Sequence, residues 1–321
     1  MNLPSIKKFP VIPFVAPSDY AHTLRWINAL QQAMPHERIL PLQSLSAEER
    51  AQCTVAIVAN PDPDDLKSLP NLRWIHSVWA GVERLVDDLG ASSLKIVRLV
   101  DPQLAETMAE AVLAWTLYLH RDMPAYAQQQ MARRWHAQDY VRPQRKTVSL
   151  LGLGALGEAA ARRLLGAGFQ VSGWSRTQKN LSGVDCYSGS QGLQTMLNKT
   201  DILICLLPLT AETRELLNAM TLAYLPAHAS LINFARGRII NDDDLRSALD
   251  AGRLQHAVLD VFATEPLPPD QWHWTHPKVT VLPHCSAPTD RETASQIVAN
   301  NMRVYREHGR IPEHIDVQRG Y

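Results

Sequence analysis

The sequence is poor in cysteine and has no surplus of charge of either sign. Its four cysteines lie far apart without a CxxC pair, and 32 basic residues balance 32 acidic ones. This cysteine usage is typical of buried free thiols in a reducing compartment. The zero net charge removes any whole-chain electrostatic argument for nucleic acid or an acidic membrane surface, so a small molecule is the expected partner.

Long hydrophobic runs are also missing. No stretch reaches the roughly 18 apolar residues of a membrane span, and prolines interrupt residues 1–17 before a signal-peptide core could form. We therefore expect a cytoplasmic protein without membrane contact. The 321 residues are enough for two domains with well-filled cores.

The first hundred residues alternate between apolar strands and helical patterns, which indicates a parallel α/β sheet. The predicted strands lie near Val11–Val15, Val55–Ala59, Trp74–Val78 and Lys95–Val100. After the third strand come Trp79, Ala80 and Gly81, where a glycine allows close backbone approach and amides could bind an anion. An ordinary strand-to-helix loop is the alternative interpretation.

A long helical pattern, Thr107–His120, is apolar on most sides. Such a helix is buried against a neighbouring domain or a second subunit.

A glycine-rich turn follows in the context that dinucleotide binding requires. A short apolar strand, Thr147–Leu151, leads directly into Gly152, Gly154 and Gly157, and a helix pattern continues over Glu158–Leu165. The first glycine permits the tight turn, the second lets the backbone approach a pyrophosphate, and the third permits close packing of helix on strand.

The second strand of this unit, Gln170–Trp174, ends without the acidic residue that usually binds the ribose 2′-hydroxyl of NAD. Ser175, Arg176 and Thr177 stand there instead and offer hydroxyls and a guanidinium, which suit a 2′-phosphate. The sequence therefore predicts NADPH as cofactor, with NADH less favoured. Arg176 as a solvated loop residue is the alternative.

Three later strands carry chemically active residues at their carboxyl ends. Arg236 follows the apolar run Ala229–Phe234, Glu265 follows the strand His256–Val261, and His284 follows Val279–Leu282. In open α/β sheets ligands collect at this edge. Taken singly, each could be structural: Arg236 as part of a surface turn, Glu265 as a surface acid, His284 as a packed histidine.

Combined in this order, the motifs resemble the D-isomer-specific 2-hydroxyacid dehydrogenase family over nearly the whole chain. They are Asn233-Phe-Ala-Arg236-Gly-Arg-Ile-Ile, Leu259-Asp-Val-Phe-Ala-Thr-Glu265-Pro-Leu-Pro, Leu282-Pro-His284 and Leu207-Pro-Leu-Thr-Ala-Glu-Thr213. Within the family, Trp79-Ala-Gly-Val-Glu and Trp174-Ser-Arg-Thr look most like the A-type glyoxylate/hydroxypyruvate reductases.

The resemblance implies two doubly wound parallel-sheet domains, Rossmann-like and flavodoxin-like, with an interdomain cleft. It places a discontinuous substrate domain at residues 1–99 plus 290–321 and the dinucleotide-binding domain at 100–289. It also implies a homodimer. The expected reaction is NADPH-dependent reduction of a small 2-keto acid, glyoxylate or hydroxypyruvate first. Reduction of another 2-keto acid, or an NAD(P)-sensing corepressor-like role, are the alternatives.

The side chains suit this chemistry. A 2-keto acid needs a proton for its developing alkoxide and a cation for its carboxylate. We expect His284 to be the general acid, Glu265 to raise its pKa, and Arg236 to bind the carboxylate. The predicted catalytic residues are Arg236, Glu265 and His284; the substrate-binding residues are Trp79, Ala80, Gly81 and Arg236; the cofactor-binding residues are Gly152, Gly154, Ala155, Leu156, Gly157, Ser175, Arg176, Thr177, Leu207, Pro208 and Asp260.

Two further features stay outside this scheme. His273 and His276 mimic a ligand spacing, but no acid or cysteine cluster accompanies them in the sequence, so no metal site is predicted. Trp272 and Trp274 follow the Glu265 motif, and the sequence leaves open whether they border the active site.

Overall fold

The computed structural model describes residues 9–89 and 92–315. The rest of the predicted substrate domain, residues 1–8, 90–91 and 316–321, lies outside this range. The strands are β1 Ile12–Val15, β2 Ile39–Pro41, β3 Val55–Val58, β4 Trp74–Ser77, β5 Lys95–Val97, β6 Thr147–Leu151, β7 Gln170–Trp174, β8 Val184–Tyr187, β9 Ile202–Cys205, β10 Ser230–Asn233, β11 His256–Leu259 and β12 Val279–Val281.

The helices alternate with these strands. They are α1 Thr23–Ala33, α2 Ala47–Gln52, α3 Pro63–Lys67, α4 Glu83–Leu89, α5 Pro102–His120, α6 Met123–Met131, α7 Ala155–Gly166, α8 Gly189–Leu197, α9 Ala219–Leu222, α10 Asp242–Asp250 and α11 Arg291–His308. Short 3₁₀ turns lie at Leu42–Ser44, Pro143–Arg145, Gly237–Ile239 and Trp272–Trp274. No helix in the described ranges combines the length and apolar character that a membrane crossing requires.

The chain divides into two compact units. The first contains the described residues of Met1–Asp101 and Thr289–Tyr321, and the second is Pro102–Pro288. Each unit has one sheet whose strands are all parallel. The predicted α/β class with two parallel sheets is confirmed.

The first unit has a five-stranded sheet of order β2-β1-β3-β4-β5. Successive strand residues enter different cores because side chains alternate across a strand. Ile57 packs with α1 and α11, whereas Ala56 and Val58 pack with the segments that contain α3 and α4. Helices therefore cover both faces, which is the doubly wound arrangement.

The second unit has a seven-stranded sheet of order β12-β11-β10-β9-β6-β7-β8. Neighbouring residues of β9 again pack in two different hydrophobic clusters. Leu203 packs with α8 and α10, while Ile202 and Ile204 pack with α5 and α7. The strand order reverses between β6 and β9. Ligands of doubly wound sheets bind outside the carboxyl ends of the strands at such a reversal.

Several predicted boundaries were wrong. Helix α5 begins at Pro102 rather than Thr107, since proline is tolerated in a first helical turn. Helix α7 begins at Ala155 rather than Glu158, so the glycine motif itself contains the helix start. Strand β2 and the β8–α8 segment were not predicted. β2 has only three residues, and β8 is only partly buried, so its apolar pattern is weak.

The expectation of four buried cysteines was also wrong. Cys53 and Cys205 are buried, but Cys186 is half-buried and Cys285 is exposed. Cys285 lies in the loop after β12. Burial inside β9 raises the pKa of the Cys205 thiol to about 12.

Candidate active site

The glycine turn joins β6 to α7 with the geometry expected of a pyrophosphate site. Gly152 has φ +104°, and a Cβ there would lie 3.0 Å from the Leu206 carbonyl oxygen. A Cβ on Gly157 would overlap the Gly152 carbonyl, whereas a Cβ on Gly154 would meet nothing within 4 Å. Glycine is therefore required at positions 152 and 157 because a side chain there would clash with the backbone of the protein. Gly154, in contrast, leaves open space beside the amino end of α7. That space fits a dinucleotide phosphate.

The loop after β7 presents polar groups at the neighbouring strand end. The side chains of Arg176 and Thr177 are exposed. The Ser175 hydroxyl donates to the Thr177 carbonyl at 2.8 Å, and the Ser175 amide donates to the Tyr187 carbonyl at 3.1 Å. Strand β7 is therefore followed by a compact turn, and the side chain of Arg176 in this turn is exposed to solvent.

The loop after β9 is closed by Thr213, which was part of a quoted motif but not among the predicted site residues. Thr213 Oγ1 donates to the Pro208 carbonyl at 2.7 Å and accepts from the Thr210 amide at 2.8 Å. Leu207, just before this loop, is buried. Thr210 and Thr213 lie at a spacing typical of a turn that a hydroxyl closes. This spacing is the sequence signal from which the role of Thr213 could have been predicted.

Arg236 is presented by a locked turn at the end of β10. The buried Asn233 side chain accepts from the Ala235 amide and donates to the Arg236 carbonyl, both at 3.1 Å. A Cβ on Gly237 would overlap the backbone of Phe262, so the turn packs against the segment that leads to Glu265. Asn233 and Gly237 therefore position Arg236, although neither was among the predicted site residues. Arg238 is exposed, and its carbonyl accepts from the Glu215 amide.

Glu265 and His284 form a direct pair at the carboxyl edge of the sheet. His284 Nδ1 lies 2.7 Å from one Glu265 carboxylate oxygen, and the other oxygen accepts from the Phe262 amide at 2.9 Å. The hydrogen bond to Glu265 raises the pKa of His284 above its ordinary value, although partial burial opposes this. Burial raises the pKa of Glu265, but the hydrogen bonds from His284 and Phe262 outweigh it and the net pKa is lowered.

Both shifts favour an imidazolium held by a carboxylate. Because Glu265 accepts at Nδ1, the other ring nitrogen, Nε2, is the one left to face a substrate. The positive charge of Arg236 also acts on both groups, lowering the pKa of each. The structure thus brings together the three residues predicted to be catalytic.

Asp260 holds the loop that carries His284. Its buried carboxylate accepts from the Cys285 amide at 2.7 Å and from the Ser286 amide at 3.0 Å. His284 itself has φ +52°, a left-handed conformation that few non-glycine residues adopt. Asp260 was predicted as a cofactor-binding residue; in the structure both of its oxygens stabilise the backbone beside this unusual residue.

The predicted substrate loop lies in the other unit. The Trp79 amide donates to Ser77 Oγ at 3.0 Å, and the Trp79 carbonyl accepts from the Leu99 amide at 3.1 Å. Ala80 and Gly81 are half-buried and precede α4. The loop is ordered by its own unit, and its contact with substrate stays a prediction.

The remaining candidates pack locally. His273 contacts Asp242 at 3.3 Å and stacks on Trp272 with ring centroids 4.0 Å apart. Trp274 is half exposed and donates to the Pro268 carbonyl at 2.8 Å. Across residues 9–89 and 92–315, no three histidine, cysteine or acidic side chains form a group that could hold a metal ion.

Comparison with known proteins gives consistent matches. The family model described as D-isomer specific 2-hydroxyacid dehydrogenase, NAD binding domain, matches residues 113–286. A glyoxylate/hydroxypyruvate reductase A from Yersinia enterocolitica is 35% identical over 305 residues, which cover 92% of this chain and 96% of that protein.

Solved structures agree. A D-isomer specific 2-hydroxyacid dehydrogenase from Xanthobacter autotrophicus, in complex with NADPH and MES, has a TM-score of 0.89 and 34% identity, covering 98% of this chain and all of that one (100%). An NADPH-dependent glyoxylate/hydroxypyruvate reductase from Sinorhizobium meliloti, in complex with NADP and sulfate, has a TM-score of 0.87 and 31% identity, covering 97% of this chain and 100% of that one.

Proposed function

Because this chain belongs to the D-isomer-specific 2-hydroxyacid dehydrogenase family and is an NAD(P)-dependent oxidoreductase, we propose that it reduces small 2-keto acids with NADPH. The proposed reactions are glyoxylate to glycolate and hydroxypyruvate to D-glycerate. The relative from Yersinia enterocolitica carries these substrates in its name, and both solved structures described above contain NADPH or NADP.

The observation that carries the proposal is the 2.7 Å pair of Glu265 and His284. A carboxylate on Nδ1 favours the protonated ring, and the charged ring can give its Nε2 proton to the oxygen of a carbonyl under reduction. NADPH, when bound, supplies the hydride for the carbonyl carbon. After the proton has left, the neutral ring must be protonated again by solvent, which its partial exposure permits.

Substrate binding is assigned to Arg236 and to the loop Trp79–Gly81. The planar guanidinium of Arg236 suits both a carboxylate and the carbonyl oxygen of a 2-keto acid. The amides of Ala80 and Gly81 are proposed to complete the carboxylate site. A small substrate that carries both a carboxylate and a carbonyl group fits this set of donors better than a long apolar one.

Cofactor binding is assigned to the glycine turn for the pyrophosphate and to Ser175, Arg176 and Thr177 for the 2′-phosphate. Arg176 is exposed at the end of β7, where an acid would repel that phosphate. Leu207 and Pro208, after β9, and Asp260, after β11, are proposed to border the nicotinamide end. NADH is expected to bind more weakly.

A cytoplasmic homodimer is proposed as the assembly. Seven exposed large apolar side chains lie between residues 117 and 141, and Trp135 is fully exposed at 103%. This segment runs from the end of α5 through α6 into the following loop. An exposed apolar segment of that length is typical of a surface that a second subunit covers.

The test is the loss of NADPH absorbance with glyoxylate as substrate. We expect turnover, and we expect kcat/KM to be higher with glyoxylate and hydroxypyruvate than with pyruvate or bulkier keto acids. Turnover with bulkier acids alone would move the assignment to another 2-keto acid. If folded protein that binds NADPH turns over none of these acids, the NAD(P)-sensing corepressor-like role would replace the enzymatic one.

A further inference from the structure

The loop after β7 is tied to β8 at both ends, and residues 175–178 therefore form an arch. The first tie is the Ser175 amide, which donates to the Tyr187 carbonyl at 3.1 Å. The second is the Gln178 side chain: its amide nitrogen donates to the Cys186 carbonyl at 3.0 Å, and its oxygen accepts from the Ser188 hydroxyl at 2.9 Å. One end is held by the backbone and the other by a single side chain.

The apex of the arch carries Arg176 and Thr177, two of the three residues assigned to the 2′-phosphate. The Ser175 hydroxyl donates its proton within the arch, to the Thr177 carbonyl at 2.8 Å. A phosphate bound at the apex would meet a guanidinium on Arg176 and a hydroxyl on Thr177. Where the apex lies depends on both ends of the arch, and only the Gln178 end relies on a side chain.

We propose that Gln178, braced by Ser188, is a positioning residue for the 2′-phosphate of the cofactor and favours NADPH over NADH. This inference rests on the proposed cofactor preference. Gln178 holds the arch in the shape that aims Arg176, so less ordering is needed when the phosphate binds. NADH has no phosphate at that position, and its affinity should depend little on the brace.

The test measures dissociation constants of NADP⁺ and NAD⁺ by isothermal titration calorimetry on the full chain. Gln178→Ala should weaken NADP⁺ about threefold to tenfold, the range expected for losing a few exposed hydrogen bonds, and change NAD⁺ less than about twofold. Ser188→Ala should weaken NADP⁺ in the same direction by a smaller factor. Ser188 makes no side-chain cap to α8, so this variant leaves the helix start intact.

The double variant separates a brace from a direct contact. If both residues act through one brace, Gln178→Ala combined with Ser188→Ala should resemble Gln178→Ala alone. If Ser188→Ala has no effect while Gln178→Ala does, Gln178 contacts the phosphate itself and the brace is wrong. Equal weakening of both cofactors by Gln178→Ala would mean general damage to the unit and would also overturn the inference.

Gln191→Ala removes an exposed glutamine side chain from α8 in the same region and should leave both affinities unchanged. Arg176→Ala should weaken NADP⁺ about tenfold or more and spare NAD⁺. If Arg176→Ala weakens NADP⁺ binding but the Gln178 and Ser188 variants do not, the 2′-phosphate site stands and only the proposed role of Gln178 is wrong. If Arg176→Ala changes neither affinity, the proposed 2′-phosphate site itself fails.

Discussion

Two histidines, one in each unit, have opposite pKa shifts. His284 is half exposed beyond β12, and its hydrogen bond to the Glu265 carboxylate raises its pKa. His76 lies inside β4, fully buried, between the Ser77 carbonyl and the Asn301 side chain, each at 2.9 Å. Burial lowers the pKa of His76 to about 4.

The pKa shifts of the two histidines differ because of their hydrogen-bond partners as much as because of their burial. A carboxylate stabilises the charged ring, whereas a carbonyl and an amide can satisfy a neutral ring and cannot offset the loss of hydration of a charge. His76 therefore donates from Nδ1 to Ser77 and accepts at Nε2 from Asn301. The partner of His284 favours the charged ring, whereas the neutral His76 holds α11 against the sheet through Asn301.

The largest expected effect is on catalysis by His284. His284→Ala should lower kcat for glyoxylate reduction about 10²-fold to 10⁴-fold, because the alkoxide loses its proton donor. NADP⁺ affinity, measured by calorimetry, should change little. A near-normal kcat would remove His284 as the general acid and would break the contrast with His76.

The second effect concerns stability and His76. Its folded pKa of about 4 is below the ordinary 6.5, so the unfolded chain takes up a proton first as the pH falls. The stabilisation is complete above pH 6.5 and is lost as the pH falls toward 4. Between pH 7 and pH 5 the contribution of His76 to the free energy of unfolding falls by about 2 kcal/mol.

His76→Gln removes that titration, so its free energy of unfolding in urea should vary less with pH than that of the native chain. The matched control, His36→Gln, replaces an exposed histidine of the same unit. It should keep the native pH dependence. Parallel curves for the native chain and His76→Gln would contradict the neutral buried state of His76.

The smallest of the three effects sharpens the role of Glu265. Glu265→Gln removes the charge that raises the pKa of His284, so the ring loses its proton at a lower pH than in the native enzyme. Activity should then fall about tenfold at mildly alkaline pH, and the descending limb of the kcat profile should move to lower pH. An unchanged profile would show that Glu265 does not control the protonation of His284.

Motifs with a local physical cause were predictable. The glycine turn depends on backbone freedom and close approach within a few residues, and Gly152 and Gly157 have the steric neighbours that those roles require. The parallel sheets follow from apolar strands that alternate with helices. In contrast, β8 escaped prediction because its residues are largely half-buried, and Cys285 was wrongly expected to be buried because its loop has no periodic pattern.

The sequence by itself determined the family, the α/β class and the order of the Arg236, Glu265 and His284 motifs, because each of these is recorded in the residue types and their spacing. Only the tertiary structure decided which side chains meet. Glu265 reaches His284 across 19 residues, Asp260 holds the amides beyond His284, and Gln178 closes the arch on β8. Those contacts depend on where separate loops return at one sheet edge, and spacing along the chain carries no measure of that distance.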